Sequence, residues 1–99
     1  MTFCVKTTAF FLEQARALSP GSKKLVDAKI DLIKQNPYRF KRIHSKRFSK
    51  LFRVRLNLDG AETRLVYAVI EPNVVIACLL ERKNDYRDLE KYLKKAGLA

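Results

Sequence analysis

Three arginines in the second half of the chain have the residue type and spacing of an anion-binding group. Apolar and polar residues alternate on both sides of Asp59-Gly60, a two-residue signal for a hairpin turn between strands. Counting back from this turn predicts that Arg55 lies directly opposite Arg64, with Arg53 diagonal to that pair on the same face. The same count pairs Leu58 with Ala61 and Leu56 with Thr63.

The predicted pairing places like charges side by side. Two arginines directly opposite each other on adjacent strands repel, so the stability of the fold does not favour this arrangement. An anion held between the guanidinium groups would offset the repulsion, and their planar, forked shape suits phosphate. The alternatives are three independent surface arginines, or a longer loop that shifts the register by one residue and scatters them.

A basic segment precedes and overlaps the first strand of this hairpin. From Lys41 to Arg55 there are seven basic residues and no acidic one, in a chain whose formal net charge is +11. A run of one sign with Phe48, Leu51 and Phe52 threaded through it favours a binding surface over plain solubilisation, for a polyanion, a negatively charged protein partner or both. We predict RNA contacts from Lys41, Arg42, His44, Lys46, Arg47 and Lys50, and from Lys83 later in the chain.

A further group of candidates follows the last predicted strand, from Glu81 to Tyr86. If the end of this strand lies beside Arg64, then Arg82, Lys83 and Tyr86 approach the same patch. A phenol near RNA can stack on a base or donate a hydrogen bond, and its alternative role is to anchor a helix on the sheet. A carboxylate among arginines serves either as a base or as a structural counter-ion.

Periodicity and capping predict the elements that carry these residues. A short first strand precedes two helices, the first capped by Thr7 or Thr8 and the second beginning at Ser19-Pro20 and ending at Asn36-Pro37. Three strands and a closing helix complete the order β-α-α-β-β-β-α. We therefore predict one α+β domain over residues 1–99, with helices packed on a curled, mainly antiparallel four-stranded sheet.

Composition limits the class of protein. With 99 residues, 47% of them hydrophobic, the chain is long enough and apolar enough for one packed domain. No apolar stretch approaches the roughly 20 residues that span a bilayer, and the start lacks a secretory signal, so we expect a cytoplasmic protein without membrane contact. Cys4 and Cys78 are expected to be reduced core thiols. A single histidine leaves a zinc site short of ligands, so no metal or cofactor is predicted.

Three runs of sequence resemble motifs of the RelE/ParE toxins. They are Leu51–Leu56, Thr63–Val69 and Glu81–Tyr86, and their order and spacing match the last three strands and the start of the closing helix in that family. The resemblance spans nearly the whole chain and includes the stop at Asn36-Pro37. It implies a RelE-like fold, which in the RelE branch is a ribosome-dependent mRNA interferase silenced by an antitoxin that wraps the sheet and helices.

The resemblance also implies roles for individual residues. By position, Arg53 and Arg55 would hold the region of the scissile phosphate, and Arg64 would stabilise the transition state. Arg82, with the adjacent lysine, would act near the leaving oxygen, and Tyr86 would stack on the message. Many family members have a histidine at the position of Glu81, so the proton-transfer group stays open among Glu81, Lys83, Tyr86 and His44.

These observations favour one function over two others. We expect a metal-independent endoribonuclease that cuts mRNA on the ribosome, acts as the toxin of a type II toxin–antitoxin system, and has an acidic antitoxin protein as its partner. A ParE-like gyrase inhibitor is the first alternative, although such relatives tend to lack the full basic set. The second is a degenerate toxin homologue that binds only antitoxin and RNA, which Glu81 in place of histidine favours.

Overall fold

The computed structural model describes residues 3–44, 50–81 and 89–95, which form one mixed sheet with helices on both faces. The elements are β1 Cys4–Thr7, α1 Ala9–Arg16, α2 Pro20–Gln35, β2 Lys41–Ile43, β3 Leu51–Leu58, β4 Ala61–Ile70, β5 Asn73–Glu81 and α3 Leu89–Lys95. The strand order is β1-β5-β4-β3-β2, with β1 parallel to β5 and the other neighbours antiparallel.

The α+β prediction is confirmed, but the predicted count of four strands is wrong. The fifth strand is β2, which pairs with the first residues of β3 at one edge of the sheet. Its three residues are too few to show the alternation of apolar and polar side chains from which strands are predicted. The order of elements is therefore β-α-α-β-β-β-β-α.

Hydroxyl side chains begin the first two helices, as the sequence predicts. The Thr8 hydroxyl accepts a hydrogen bond from the Phe11 amide (3.0 Å) and donates one to the Ala77 carbonyl (2.7 Å), so it caps α1 and ties it to β5. Ser19 caps α2, with Pro20 in its first turn. The extended backbone of Asn36 ends α2 before proline.

The larger apolar core lies between the sheet and helices α1 and α2. Phe52 and Tyr67 stack at its centre with ring centroids 5.4 Å apart, surrounded by alternate residues of β3, β4 and β5. The Tyr67 hydroxyl donates to the Pro37 carbonyl at 2.5 Å, and burial raises the pKa of this phenol. The core therefore also fixes the turn that follows α2.

The second core lies on the opposite face, beneath α3. Leu89 and Leu93 pack there on Leu51, Val66 and their neighbours. Cys78 is buried in this layer, and desolvation raises the pKa of its thiol to about 12. Cys4 is exposed on β1, so the prediction that both thiols are in the core is wrong for the first, which lies near one end of an edge strand. No helix in the described ranges is long and apolar enough to cross a membrane.

Candidate functional site

The hairpin formed by β3 and β4 has the predicted register. Arg55 pairs with Arg64, and Leu58 with Ala61 at the turn. The turn is tight because Asp59 and Gly60 both have positive φ, 49° and 80°, which is the backbone of the favoured two-residue hairpin turn. The alternative in which a longer loop shifts the register is therefore wrong.

Arg53, Arg55 and Arg64 share the face of the sheet on which α3 packs. Successive side chains of a strand point to opposite faces, so Arg53 and Arg55 lie on the same face as Leu51, and Arg64 lies on the same face as Val66. Leu51 and Val66 belong to the core beneath α3. The face is thus divided into an apolar half covered by α3 and a basic half toward the hairpin turn. We call this basic half, Arg53, Arg55 and Arg64, the arginine cluster.

The residues of the arginine cluster are neighbours on the sheet, and Arg53 and part of Arg64 are withdrawn from water, whereas Arg55 is exposed. Cα atoms of directly paired residues such as Arg55 and Arg64 are roughly 4.5–5.5 Å apart. Arg53 is only 9% exposed, and its guanidinium group has no hydrogen bond or ion pair with any residue in the described part of the chain. The Nη1 atom of Arg64 is buried as well. Arg64 makes other contacts, whereas burying the charge of Arg53 costs free energy unless an opposite charge or hydrogen-bond partner compensates, so the position of Arg53 suits an anionic ligand.

A hydrogen-bonded clamp holds the tip of the hairpin against α2. The Asp59 carboxylate accepts hydrogen bonds from the Ser19 amide (3.1 Å), the Ser19 hydroxyl (2.5 Å) and the Ser22 hydroxyl (2.8 Å). The Asp59 amide in turn donates to the Ser22 hydroxyl at 3.0 Å. These bonds from Ser19 and Ser22 lower the pKa of Asp59. The clamp therefore fixes the hairpin turn, and this turn sets the register that pairs Arg55 with Arg64.

Glu81 does not lie with the arginines, which corrects its prediction as a base beside them. It pairs with Thr63, one residue away from the Arg64–Leu80 pair, so it points to the opposite face. There it lines a cavity of about 340 Å³ with Gln14 and Thr63. Gln14 holds this end of β5 by donating to the Leu79 carbonyl (2.8 Å) and accepting from the Leu79 amide (2.7 Å).

Of the predicted RNA-binding residues in the described ranges, Lys41 lies beside the arginine cluster. It pairs with Arg53 and shares its face, whereas Arg42 pairs with Phe52 and points to the α1/α2 face. His44 is exposed, directly after the end of β2. The structure thus adds one lysine to the arginine face and separates Arg42 from it.

Lys50 belongs to a different group, at the other end of β3. Its ammonium is 3.4 Å from Glu71 and 5.8 Å from the centroid of the Tyr38 ring. The Tyr38 hydroxyl donates to the same carboxylate of Glu71. These two contacts lower the pKa of Glu71, the one from Tyr38 most. Lys50 therefore neutralises a local acid and does not join the arginine cluster.

Several predicted site residues lie outside the described residues. These are Lys46, Arg47, Arg82, Lys83 and Tyr86. The last three follow Glu81 in sequence, and β5 ends beside the strand that carries Arg64. Their predicted roles remain predictions.

The sequence interpretation overlooked two polar residues on the arginine face. Asn57 pairs with Glu62 in the row next to the Arg55–Arg64 pair, and alternation places both on the same face as the arginines. The count from the hairpin turn could have found both residues, because side chains on one face of a strand recur at every second residue. Asn57 and Glu62 therefore form the pair on this face that lies between the turn and the Arg55–Arg64 pair. Glu62 therefore brings a carboxylate to the edge of the arginine cluster.

Comparison with known proteins identifies the fold. No protein-family model and no curated protein sequence matches the chain. Three solved structures from E. coli do match: a free double mutant of the toxin RelE (17% identity, 96% of this chain and 97% of that one, TM-score 0.70), the isolated RelE toxin (14%, 94% and 97%, 0.69), and the intact RelBE toxin–antitoxin complex (18%, 79% and 94%, 0.63). Identities this low show the likeness of the backbone alone. The chain described here therefore has the fold of the RelE toxin.

Proposed function

We propose that this protein is the toxin of a type II toxin–antitoxin system and that it cleaves mRNA on the ribosome. The observation that carries the proposal is the arginine cluster, in which Arg55 and Arg64 are directly paired and Arg53 is buried on the same face. Like charges in this position lower the stability of the free protein. A phosphodiester bound between them would offset this repulsion, so the placement of the arginines favours binding of the anion.

The proposed chemistry needs positive charge where negative charge develops. In strand cleavage the 2′-hydroxyl attacks the adjacent phosphorus, and charge accumulates on the phosphate oxygens. Arg53, Arg55 and Arg64 lie on paired strands, so their backbones are fixed before the substrate binds. Fixed cations of this kind stabilise a transition state without reorganising during the reaction. In this scheme Arg53 and Arg55 hold the phosphate, and Arg64 stabilises the transition state.

The charge of the whole chain favours a large polyanion over a small anion. The formal net charge is +11, and Lys41 extends the arginine face by one further basic residue. Basic residues that contact phosphates supply most of the sequence-independent affinity for nucleic acid. We assign Arg82, Lys83 and Tyr86 the roles that the family resemblance implies, with Arg82 near the leaving oxygen and Tyr86 stacked on the message.

An acidic antitoxin is the second proposed partner. A cleft of about 310 Å³ lies between α1 and α2, lined by apolar residues such as Phe11 and Val26, and its charged residues are Arg16, Lys23 and Asp27. Leu12, which also lines it, is 44% exposed. An amphipathic segment with acidic residues beside its apolar ones would cover this cleft and lower the net charge of the toxin. The E. coli RelBE structure, which is similar to this chain, is a toxin–antitoxin complex.

The test is cleavage of mRNA on purified translating ribosomes, read by mapping the ends of the message. We expect new ends with the wild type and a loss of about 100-fold or more in cleavage rate with Arg64→Ala, which is the scale for removing a preorganised donor. Lys34→Ala is the control, because it removes one positive charge from the exposed side of α2.

Two outcomes would contradict the proposal. Unchanged messages with the wild type would remove the nuclease, and inhibition of gyrase supercoiling by the same preparation would then favour a ParE-like activity. Cleavage that is equal in the wild type and Arg64→Ala would leave a nuclease but place its chemistry away from the arginine cluster. In a host that lacks the antitoxin, overexpression of the wild type or of Lys34→Ala should arrest growth. Overexpression of Arg64→Ala should not.

A further inference from the structure

The arginine cluster lacks a group that can accept a proton. Arginine effectively stays protonated, so Arg53, Arg55 and Arg64 cannot take the proton from a 2′-hydroxyl. Glu81, the carboxylate that the sequence suggested for this task, points to the opposite face of the sheet. Lys83 and Tyr86 lie outside the described residues, and among the described strands the arginine face offers one further candidate.

Glu62 supplies a carboxylate at that place. It pairs with Asn57, and this pair forms the row between the hairpin turn and the Arg55–Arg64 pair. Glu62 and Arg64 are two residues apart on β4, so their Cα atoms are about 7 Å apart and their side chains point the same way. Among the strands of the described residues, no other acidic side chain lies on this face.

We propose that Glu62 is the general base of the site, an inference that rests on the proposed nuclease function. The Glu62 carboxylate takes the proton of the 2′-hydroxyl as the 2′-oxygen forms a bond to phosphorus. The bond from phosphorus to the 5′-oxygen breaks, its electron pair stays on that oxygen, and the oxygen takes a proton from water. The products are a 2′,3′-cyclic phosphate on one fragment and a 5′-hydroxyl on the other.

The order of the paired residues along the hairpin fits phosphate binding by Arg55 and Arg64 and proton transfer by Glu62. A phosphate bound between Arg55 and Arg64 lies one row from Glu62, and a 2′-hydroxyl adjoins the phosphate that it attacks. Asn57, directly opposite Glu62, offers an amide that can hydrogen-bond to the ribose or to the carboxylate. Glu62 is exposed in the free protein, so substrate can reach it without a change in the sheet.

A purely electrostatic role for Glu62 leads to different expectations. A carboxylate diagonal to Arg55 and next to Arg64 on its own strand lowers their mutual repulsion, as opposite charges on one face of a sheet do. If that were its whole role, Glu62→Gln would strengthen the binding of a polyanion and leave the chemical step unchanged. A general base contributes to the chemical step, typically about 100- to 10,000-fold, and little to binding.

The experiment measures both quantities for wild type, Glu62→Gln and Glu62→Asp on mRNA-loaded ribosomes. Single-turnover cleavage gives the rate of the chemical step, and sedimentation with ribosomes gives the affinity. We expect Glu62→Gln to slow cleavage by about 100-fold or more, with affinity equal to or above that of the wild type. Glu62→Asp, which keeps a carboxylate on a shorter stem, should recover part of the rate.

A second readout separates a base from a structural residue. A general base acts in its deprotonated form, so the wild-type cleavage rate should depend on pH, and Glu62→Gln should lose that dependence. Glu13→Gln is the matched control, because it removes the same charge from an exposed position on α1, across the sheet. Thermal unfolding of each variant verifies that the fold is retained.

The outcomes distinguish this inference from the proposed function. Equal single-turnover rates in the wild type and Glu62→Gln, with Arg64→Ala inactive, would overturn the role of Glu62 and leave the nuclease in place. A rate loss in Glu62→Gln that matches an equal loss of affinity would also overturn it. No cleavage by the wild type would overturn the proposed function and this inference together.

Discussion

The polar groups on the two faces of the sheet have different environments. On the face covered by α1 and α2, Thr8, Gln14, Ser22 and Tyr67 each have a hydrogen-bond partner within the described residues. On the face that carries α3, Arg53 is buried and lies one row from the directly paired arginines of β3 and β4. One face satisfies its polar groups internally, and the other places like charges together.

This difference indicates which face of the sheet is arranged for the stability of the fold. Satisfied buried polar groups are the rule in folded proteins, so the α1/α2 face requires no partner beyond the chain. Guanidinium groups placed side by side repel one another, a bound anion offsets that repulsion, and such local costs concentrate at functional sites. Substitutions on the first face should therefore act on folding, and substitutions in the arginine cluster should act on function.

Phe52→Ala should have the largest effect on folding. Phe52 is 6% exposed and stacks on Tyr67 in the α1/α2 core, so the truncation removes buried area and leaves a cavity. We expect the free energy of unfolding to fall by about 3–5 kcal/mol. Urea denaturation measures this value, and the cleavage rate per folded molecule should be unchanged. A loss of under about 1 kcal/mol would mean that the stack contributes little to folding and would break the comparison.

Arg55→Thr should have a smaller effect on folding and the opposite sign. The substitution removes one of two directly paired cations and introduces a residue that favours strands, so we expect a gain of about 0.2–1 kcal/mol in the free energy of unfolding. The gain should shrink in high salt because salt screens the repulsion. Cleavage should fall at the same time. A less stable Arg55→Thr would show that this arginine supports the fold, and the contrast between the faces would fail.

The hairpin register could be predicted from sequence because one local signal determines it. Asp59-Gly60 permits a two-residue turn, and every pair beyond it follows by counting. That count was sufficient to place the arginines of the cluster on one face. It was equally sufficient for Glu62 and Asn57, which lie in the next row.

Contacts between distant parts of the chain could not be predicted in this way. The extra strand Lys41–Ile43 exists because it pairs with β3, and three residues carry no period of their own. The side of the sheet to which Glu81 points depends on its pairing with Thr63 across a β-bulge next to Val66, which the apolar run of β5 does not reveal. Both features depend on tertiary pairing, and local sequence does not encode that.

The smallest predicted effect lies at Asp59, which joins the hairpin of the arginine face to α2 on the other. Hydrogen bonds from Ser19 and Ser22 lower the pKa of its carboxyl group in the folded protein, so folding favours the ionised form. This contribution to stability is complete above the ordinary carboxyl pKa of about 3.9 and is lost as the pH falls through the lower folded value. Asp59→Asn removes this contribution, and Asn tolerates the positive φ of the turn.

The melting temperatures of wild type and Asp59→Asn should therefore differ most near neutral pH. They should converge as the pH falls below the pKa of an ordinary carboxyl group. Glu71→Gln is the matched control, because the pKa of Glu71 is also lowered, by Tyr38 and Lys50, at the opposite end of the sheet. Curves for wild type and Asp59→Asn that stay parallel down to strong acid would show that the clamp does not depend on the charge of Asp59. The link between the two faces would then depend on the packing of the hairpin tip rather than on the ionised carboxylate.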